Sequence, residues 1–473
     1  VGVERTRLEA QVKAADALPL GSPSALELYR KAGDGYQSLF RRHCEGPLEK
    51  AEKPKPCDGA AEILTNMARA YQAGRLLARA MQARTMLLDE RYGLAKSELG
   101  KRALYDLGAN YQSIAAYDRA AEHYERFVDA SCAGAKCGKD ADRALLDAAL
   151  LRLGLGAADR ALEDADKYER WFGKKKAAEA AQLRFAIAAH FAERQSWDEV
   201  RARLAKAMHS IDAQAKLDVR LAAHALFGKA LHELRRDAAA STEYQRVLAL
   251  WAEPQRAAAD IRASEADADV AERKLGRSLE AVGEALFFFA ERKRERAEAM
   301  RFPVYRGPGT QAAVMEHIAT RVKPWVLAKR PLLDEATREY RKIADLVPAA
   351  PPRSVIQSGS RVGEMWGTFV KEIRRAHIPD SIRKDPELRA AYYAELDRLS
   401  EPQKLLAKSA YETCLSYSVK YQYWDAASRT CEEWLAREYK GEYHLIDEFR
   451  GAPTRRNGPE AERPLPIRLP WAR

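Results

Sequence analysis

Along the first half of the chain, small and large apolar residues interleave with charged ones at helical spacing, and the same short pattern returns after about 40 positions. In ALYDLGANYQSIAAYDRAAEHYERF, Leu107, Gly108 and Tyr111 are followed by Ala120 and Tyr124. Apolar residues three and four apart mark one face of a helix, so this stretch predicts two antiparallel helices packed through those faces. Gly108 and Ala120 are then the points of closest approach, with Tyr111 and Tyr124 filling the space beside them. The pattern recurs as Ala68, Tyr71 and Ala80 upstream. Downstream it recurs as Ala161, as Ala188, Phe191 and Val200, and as Gly228, Leu231, Ala240 and Tyr244. The reference positions 80, 120, 161, 200 and 240 step by 40, 41, 39 and 40. A generic alanine-rich bundle has no reason to keep that step. Half-patterns at Ala32 and Tyr36, and at Ala336, Tyr340, Ile343 and Pro348, extend the array on both sides.

The L-G-x2-Y and A-x3-Y spacing of Leu107 to Tyr124 resembles the tetratricopeptide repeat, whose usual period is 34 residues. The predicted fold is therefore all-α, a tetratricopeptide-like helical-hairpin solenoid, or superhelix, with about six extra residues in each unit and a divergent helical C-terminal part. The repeat array is expected over 1–252 and the divergent helical region over 253–450, with a Pro/Gly-bounded loop at 301–309 (RFPVYRGPG) as an internal boundary. A Pro/Arg-rich extended tail is expected over 451–473. The stretch around ALFFFA reads as one long helix in which Gly276 and Gly283 permit close packing. Helices are also expected around Val326 to Leu346, Val355 to Arg375 and Pro386 to Tyr421.

Charge changes this picture little. The 473 residues carry 80 Lys+Arg against 69 Asp+Glu, a net charge of +11, but the signs are interspersed as on solvated helix faces rather than gathered into a basic stripe. No nucleic-acid partner is expected on that ground. The strongest apolar run, Ala285 to Ala290, falls short of the roughly 20 residues a membrane helix needs, so no span is expected. The chain opens at Val1 without a visible signal segment and reads as a mature form or a piece of a longer chain.

The cysteines carry more information. Cys132 lies twelve residues after Ala120 and Cys44 twelve after Ala32, the same place in the repeat. Each has a second cysteine before the next helix, Cys137 and Cys57. Cys414 and Cys431 lie about eight residues either side of a turn expected near Gln422 and Tyr423. Zinc needs four ligands and each pair here stands alone; no C-x-x-C redox motif is present; reduced core thiols are the other alternative. Three local structural disulfides are the expectation, and disulfides persist in oxidising compartments. A periplasmic or otherwise extracytoplasmic location follows.

Catalytic signals are weak. LRLGLGAADR holds G-x-G without a third glycine, QSGSRVG lacks a G-x-S-x-G elbow, and HELRR lacks the second histidine of a zinc helix. With no predicted strands and no carboxylate or histidine cluster, no enzyme activity, no metal and no cofactor is expected. By repeat register the groove-facing positions of the first helices are Thr65, Asn66, Arg69, Arg102, Tyr105, Asp106, Arg143, Asp147 and Phe185. That set is not the Lys/Asn/Arg clamp with which chaperone-binding repeats hold a terminal carboxylate. Arg69, Arg102, Tyr105, Arg143 and Phe185 are the candidate partner-binding residues, since arginine and aromatic side chains dominate interface hot spots.

Taken with Phe302-Pro-Val-Tyr-Arg-Gly307, the W-G-x-F of Trp366 to Phe369, Ile378-Pro379, and the A-Y-x-x-C-L hairpin from Ala410, the array resembles the tetratricopeptide region of large periplasmic gliding-motility proteins of myxobacteria. The resemblance implies a non-catalytic scaffold binding protein or peptide partners in a cell-envelope machine. Two rivals remain: a cytoplasmic basic adaptor for nucleic acid or protein, and a helical envelope enzyme acting on peptidoglycan. The number of copies in the assembly is not legible.

Overall fold

The computed structural model describes residues 2–46, 57–133 and 136–445. The expected tail at 451–473 lies outside them. Two compact units divide the chain between Arg236 and Asp237.

In the first unit, α1 (Gly2–Asp16) and α2 (Pro23–Phe40) precede the hairpins α3 (Ala60–Ala73) with α4 (Leu77–Leu88), α5 (Glu98–Ser113) with α6 (Tyr117–Ser131), α7 (Ala141–Gly154) with α8 (Ala158–Phe172) and α9 (Ala177–Glu193) with α10 (Trp197–Gln214), then α11 (Leu217–Glu233). Helices pack on their sequence neighbours, and first helices touch first helices, α3 with α5, α7 with α9 and α9 with α11. This is the nearest-neighbour stacking of a helical repeat, in which no hairpin buries its apolar face alone. Ala80, Ala120, Ala161 and Val200 are each the fourth residue of a second helix and are 0% exposed. Gly108 is needed for the same contact: a Cβ there would lie 2.6 Å from the Tyr124 ring. Tyr124 is buried as expected, whereas Tyr111 is only half-buried, beside His123.

The turns between paired helices repeat as faithfully as the contacts. Arg75, Ala115, Gly156, Gln195 and Arg235 all lie five residues before a reference position, and all have positive φ, between 55° and 78°. The N–H of the next residue reaches back to a carbonyl five positions earlier, as in Ala116 to Tyr111 (2.9 Å) and Ala157 to Arg152 (2.9 Å). This is a Schellman ending, which favours glycine because a Cβ strains the left-handed conformation. Only one of the five is glycine. Ala115 is exposed, so Ala115→Gly relieves strain without opening a cavity. Stabilisation of about 0.5–1 kcal/mol is expected even after the extra unfolded-state freedom of glycine, read as a melting temperature raised by about 1–4 °C. A lowered melting temperature would show that the turn carries no strain.

Cys44 and Cys57 close one loop, with Cα atoms 5.3 Å apart, and Cys132 and Cys137 close the matching loop two array positions on, with Cα atoms 4.0 Å apart. The second loop adds an antiparallel ladder that the sequence pattern does not announce, β1 (Cys132–Ala133) with β2 (Lys136–Cys137), Cys132 facing Cys137.

The second unit contains α12 (Asp237–Leu250), α13 (Pro254–Ala263), α14 (Ala268–Ala299), α15 (Gln311–His317), α16 (Lys323–Ala344), α17 (Pro352–Ile373), α18 (Asp380–Lys384), α19 (Pro386–Tyr421) and α20 (Ala426–Glu438). Ala240, the fourth residue of α12, is 0% exposed like its counterparts. The segment from Arg301 to Gly309 is irregular, as its prolines and glycines dictate. The core gathers Trp325, Tyr340, Trp366, Phe369, Tyr411 and Trp434. Gly283 lets α14 approach α17, since a Cβ there would lie 2.6 Å from Pro351. Gly276 does not have the packing role expected of it: nothing lies within 4 Å of its Cβ position. α19 reverses into α20 at Gln422 (φ 51°), and Asp425 caps α20 in a capping box with Ser428. Across that turn Cys414 and Cys431 are buried, their Cα atoms 6.5 Å apart. Among the described residues no helix is long and apolar enough to cross a membrane.

Candidate functional site

The groove positions read from the repeat fall on α3, α5, α7 and α9, and the structure does not treat them alike. Arg69 and Arg102 line one cavity of about 560 Å³ with Gln72, Ala73, Arg84, Asp106, Ala109 and Asn110. Tyr105 lies beneath Arg102, whose guanidinium carbon is 4.3 Å from the ring centroid. The same ring packs on Tyr124 (5.6 Å) and Phe127 (5.3 Å), so it holds Arg102 up from the core. Arg143, one hairpin on, is exposed beside Asp147 at 3.8 Å. Phe185 packs against the cluster of Val200 and Leu204.

Charge within the cavity is organised from three elements. Arg102 Nε donates to Asp106 Oδ1 (3.2 Å), and its Nη1 donates to Asp140 Oδ2 (2.6 Å), the residue preceding α7. Arg84, from the second helix α4, is 5% exposed. Its Nη1 donates to Asn110 Oδ1 (2.9 Å) and its Nη2 to Gln72 Oε1 (2.7 Å), while Nε lies 3.5 Å from Asp106 Oδ2. Burial lowers the Arg84 pKa, Asp106 opposes that, and the charge on Arg69 adds to the lowering. Arg69 is exposed and has no ion pair among the described residues.

Arg84, Gln72 and Asn110 were not among the residues singled out by repeat register. A signal for Arg84 exists: four residues after the reference position the other hairpins carry Tyr124, Ala165, Leu204 and Tyr244, all at most 2% exposed, and this one carries arginine. A second cavity, of about 630 Å³, supplies the contrast. Its lining includes Arg184, Arg203 and Lys206 against Asp166, Glu169 and Glu199, equal numbers of each sign. Arg184 reaches both Asp166 and Glu169 at 2.6 Å, and Arg203 reaches Glu199 at 2.9 Å.

Elsewhere, no group of three or more His, Cys, Asp or Glu among the described residues is placed to hold a metal ion. Hairpins in steady register, joined by one type of turn and closed by one type of small-residue contact, decide the class. The chain is an all-α helical repeat.

Comparison with known proteins adds fold likenesses only. No family model matches the chain, and no curated protein matches it. Among solved structures it is similar to a tetratricopeptide repeat protein from Parabacteroides merdae, at 15% identity over 57% of this chain and 98% of that one, with a TM-score of 0.28. It is also similar to a Rap protein solved with competence and sporulation factor, at 13% identity over 78% of this chain and 99% of that one, TM-score 0.24. A third likeness is the tetratricopeptide domain of P58(IPK), at 13% identity over 92% of this chain and 99% of that one, TM-score 0.20.

Proposed function

We propose that the chain is a non-catalytic scaffold that holds a protein or peptide partner against the first helices of its N-terminal unit, outside the cytoplasm. The observation that carries this reading is the placing of Arg69 and Arg102 in one cavity, with the Tyr105 ring supporting Arg102. Arginine and tyrosine held in fixed positions are the groups from which binding energy at interfaces is drawn. The three local cysteine pairs support an oxidising compartment, because such cross-links are rarely kept in the cytosol. The motifs around Trp366 and the final hairpin, with their likeness to periplasmic gliding-motility proteins of myxobacteria, support a place in a cell-envelope machine.

The test is crosslinking recovery from envelope fractions with the wild type and with Arg102→Ala/Tyr105→Ala. Loss of one hot spot of 2 kcal/mol or more corresponds to roughly 30-fold weaker binding, so specifically crosslinked partners should fall at least tenfold. Tyr105 packs on Tyr124 and Phe127, so circular dichroism must first show that the helices are retained. Undiminished recovery from a folded variant sinks the groove reading.

A further inference from the structure

We infer that the Cys132–Cys137 link is a redox modification site, opened by a dithiol protein whose two thiols can form their own disulfide, while the other two links stay closed. The site is independent of the groove.

Access sets this pair apart. Cys132 and Cys137 are both partly exposed. Cys414 and Cys431 are both 0% exposed, and so is Cys44, in the core cluster with Leu39, Phe40 and Ile63. In thiol–disulfide exchange a thiolate must reach one sulfur while the other leaves as an anion. Cys414–Cys431 offers no approach. Cys57 is partly exposed, but attack there must expel Cys44 as an anion into apolar surroundings, with Glu45 next to it in sequence. Both circumstances disfavour that anion and slow its departure.

Charge points the same way. Lys136 precedes Cys137 and Lys139 follows it by two residues. Both lysines are exposed, and neither has an ion pair among the described residues. The carboxylates nearest in sequence are already engaged, Asp129 by Lys167 (3.1 Å) and Asp140 by Arg102 (2.6 Å). Uncompensated positive charge favours a thiolate, so Cys137 is the leaving group and Cys132 the sulfur attacked. Reactive cysteines occupy partly open, electropositive settings of this kind, and buried structural pairs do not.

The link also holds something in place. β1 and β2 contribute two residues each, too few to stay paired without the cross-link. At the base of the loop the Gly138 N–H donates to Ser131 O (3.0 Å). Asp140, the residue before α7, has φ 67°, where the matching loop places Gly59 at 73°. A side chain adopts that conformation at a cost, so aspartate there serves through its carboxylate, which accepts from Arg102. Opening the link lets the ladder part and Asp140 relax. Arg102 then keeps Asp106 as its remaining carboxylate partner.

The exchange balances in two steps. One thiolate of the dithiol attacks Cys132 Sγ, the Cys132–Cys137 bond breaks, and Cys137 leaves as a thiolate that takes up a proton. The second thiol of the dithiol, deprotonated, then attacks the donor sulfur of the mixed disulfide and releases Cys132, which is protonated in turn. The link gains two electrons and two protons, and the dithiol loses both to become a disulfide. In an oxidising compartment the link re-forms once the dithiol is withdrawn.

The test uses the folded full chain, dithiothreitol as the dithiol, and quenching with N-ethylmaleimide before peptide mapping by mass spectrometry. Cys132 and Cys137 should become labelled at least about tenfold faster than the other four cysteines, with circular dichroism unchanged. Amide exchange at Gly138 should then rise by about tenfold or more while α8 keeps its protection. Lys136→Gln/Lys139→Gln should slow the opening about threefold, because a thiol that ionises less readily leaves more slowly. Equal labelling rates at the three links, or faster labelling at Cys44 and Cys57, would overturn the assignment. A rate unaffected by the double substitution would overturn Cys137 as the leaving group, and unchanged exchange at Gly138 after opening would overturn the hold of the link on the loop.

Discussion

Trp366→Ala is expected to destabilise the second unit by about 3–5 kcal/mol, the range for removing a large aromatic side chain from a packed core. Trp366 is 1% exposed on α17, its ring near Phe369 and its Nε1 donating to Thr337 Oγ1 at 3.1 Å. Around it Gly363 is filled by the Tyr411 ring and Gly367 by Trp434, so the neighbours are already in contact and cannot move inward freely. Truncation therefore leaves a cavity and removes the donor to the Thr337 hydroxyl, which keeps its own bond to the Leu333 carbonyl. Amide hydrogen exchange reads this locally. Protection in α16, α17 and α19 should fall by two to three orders of magnitude, since 1.4 kcal/mol is a factor of ten. A fall of less than tenfold would mean that the site collapses around the smaller side chain.

Asp164→Asn should have the opposite sign at neutral pH and above. Asp164 is 3% exposed on α8, and its Oδ2 receives no hydrogen bond from the described residues. Beside it Arg152 is taken up by Glu125 at 2.6 and 2.9 Å. Burial first, then the charge on Glu125, push the Asp164 pKa up to about 7, against Lys167 and Arg152. The folded chain thus keeps a proton that the unfolded chain releases near pH 3.8. Stability must fall as pH rises from about 4 to about 7 and stay at its lower level above that. Asparagine imitates the protonated form, so the variant should lack this component and be more stable at pH 8, by on the order of 4 kcal/mol at most. Urea midpoints of both proteins at pH 5 and pH 8 check it. A difference between them that does not grow with pH would show that Asp164 is not the group responsible.

The repeat is legible in the chain because its markers are steric. Ala80, Ala120 and Ala161 are fully buried at a contact that only Val200 fills with a larger side chain, and Gly108 has no room for a Cβ against Tyr124. The second-unit hairpin is legible for a related reason: cysteines equidistant from a turn can meet only across it. The turn geometry is hidden. Left-handed residues announce themselves only when they are glycine, and Arg75, Ala115, Gln195 and Arg235 are held there by backbone hydrogen bonds that no side chain reports. Arg69 and Arg102 are legible as groove residues from their register on first helices. Arg84 is not, because register assigns its helix to the packing layer; only its identity, set against Tyr124 and Leu204 at the same position, marks it. Phe185, an aromatic at a groove position, is half-buried and packs against the neighbouring core.

The local character of the three cysteine links has a mechanical consequence. They join residues 13, 5 and 17 positions apart. At about 3.4 Å per residue they withhold only about 45, 17 and 58 Å of contour from a chain that would reach about 1,600 Å fully drawn out. A pulling force on the ends is therefore borne almost wholly by the contacts between neighbouring helices, and the links guard the loop closures against fraying without tethering distant parts. In the first unit, where the extensive contacts among the described residues run between neighbouring hairpins, such a chain is expected to give way one hairpin at a time, as a compliant spring rather than a rigid strut.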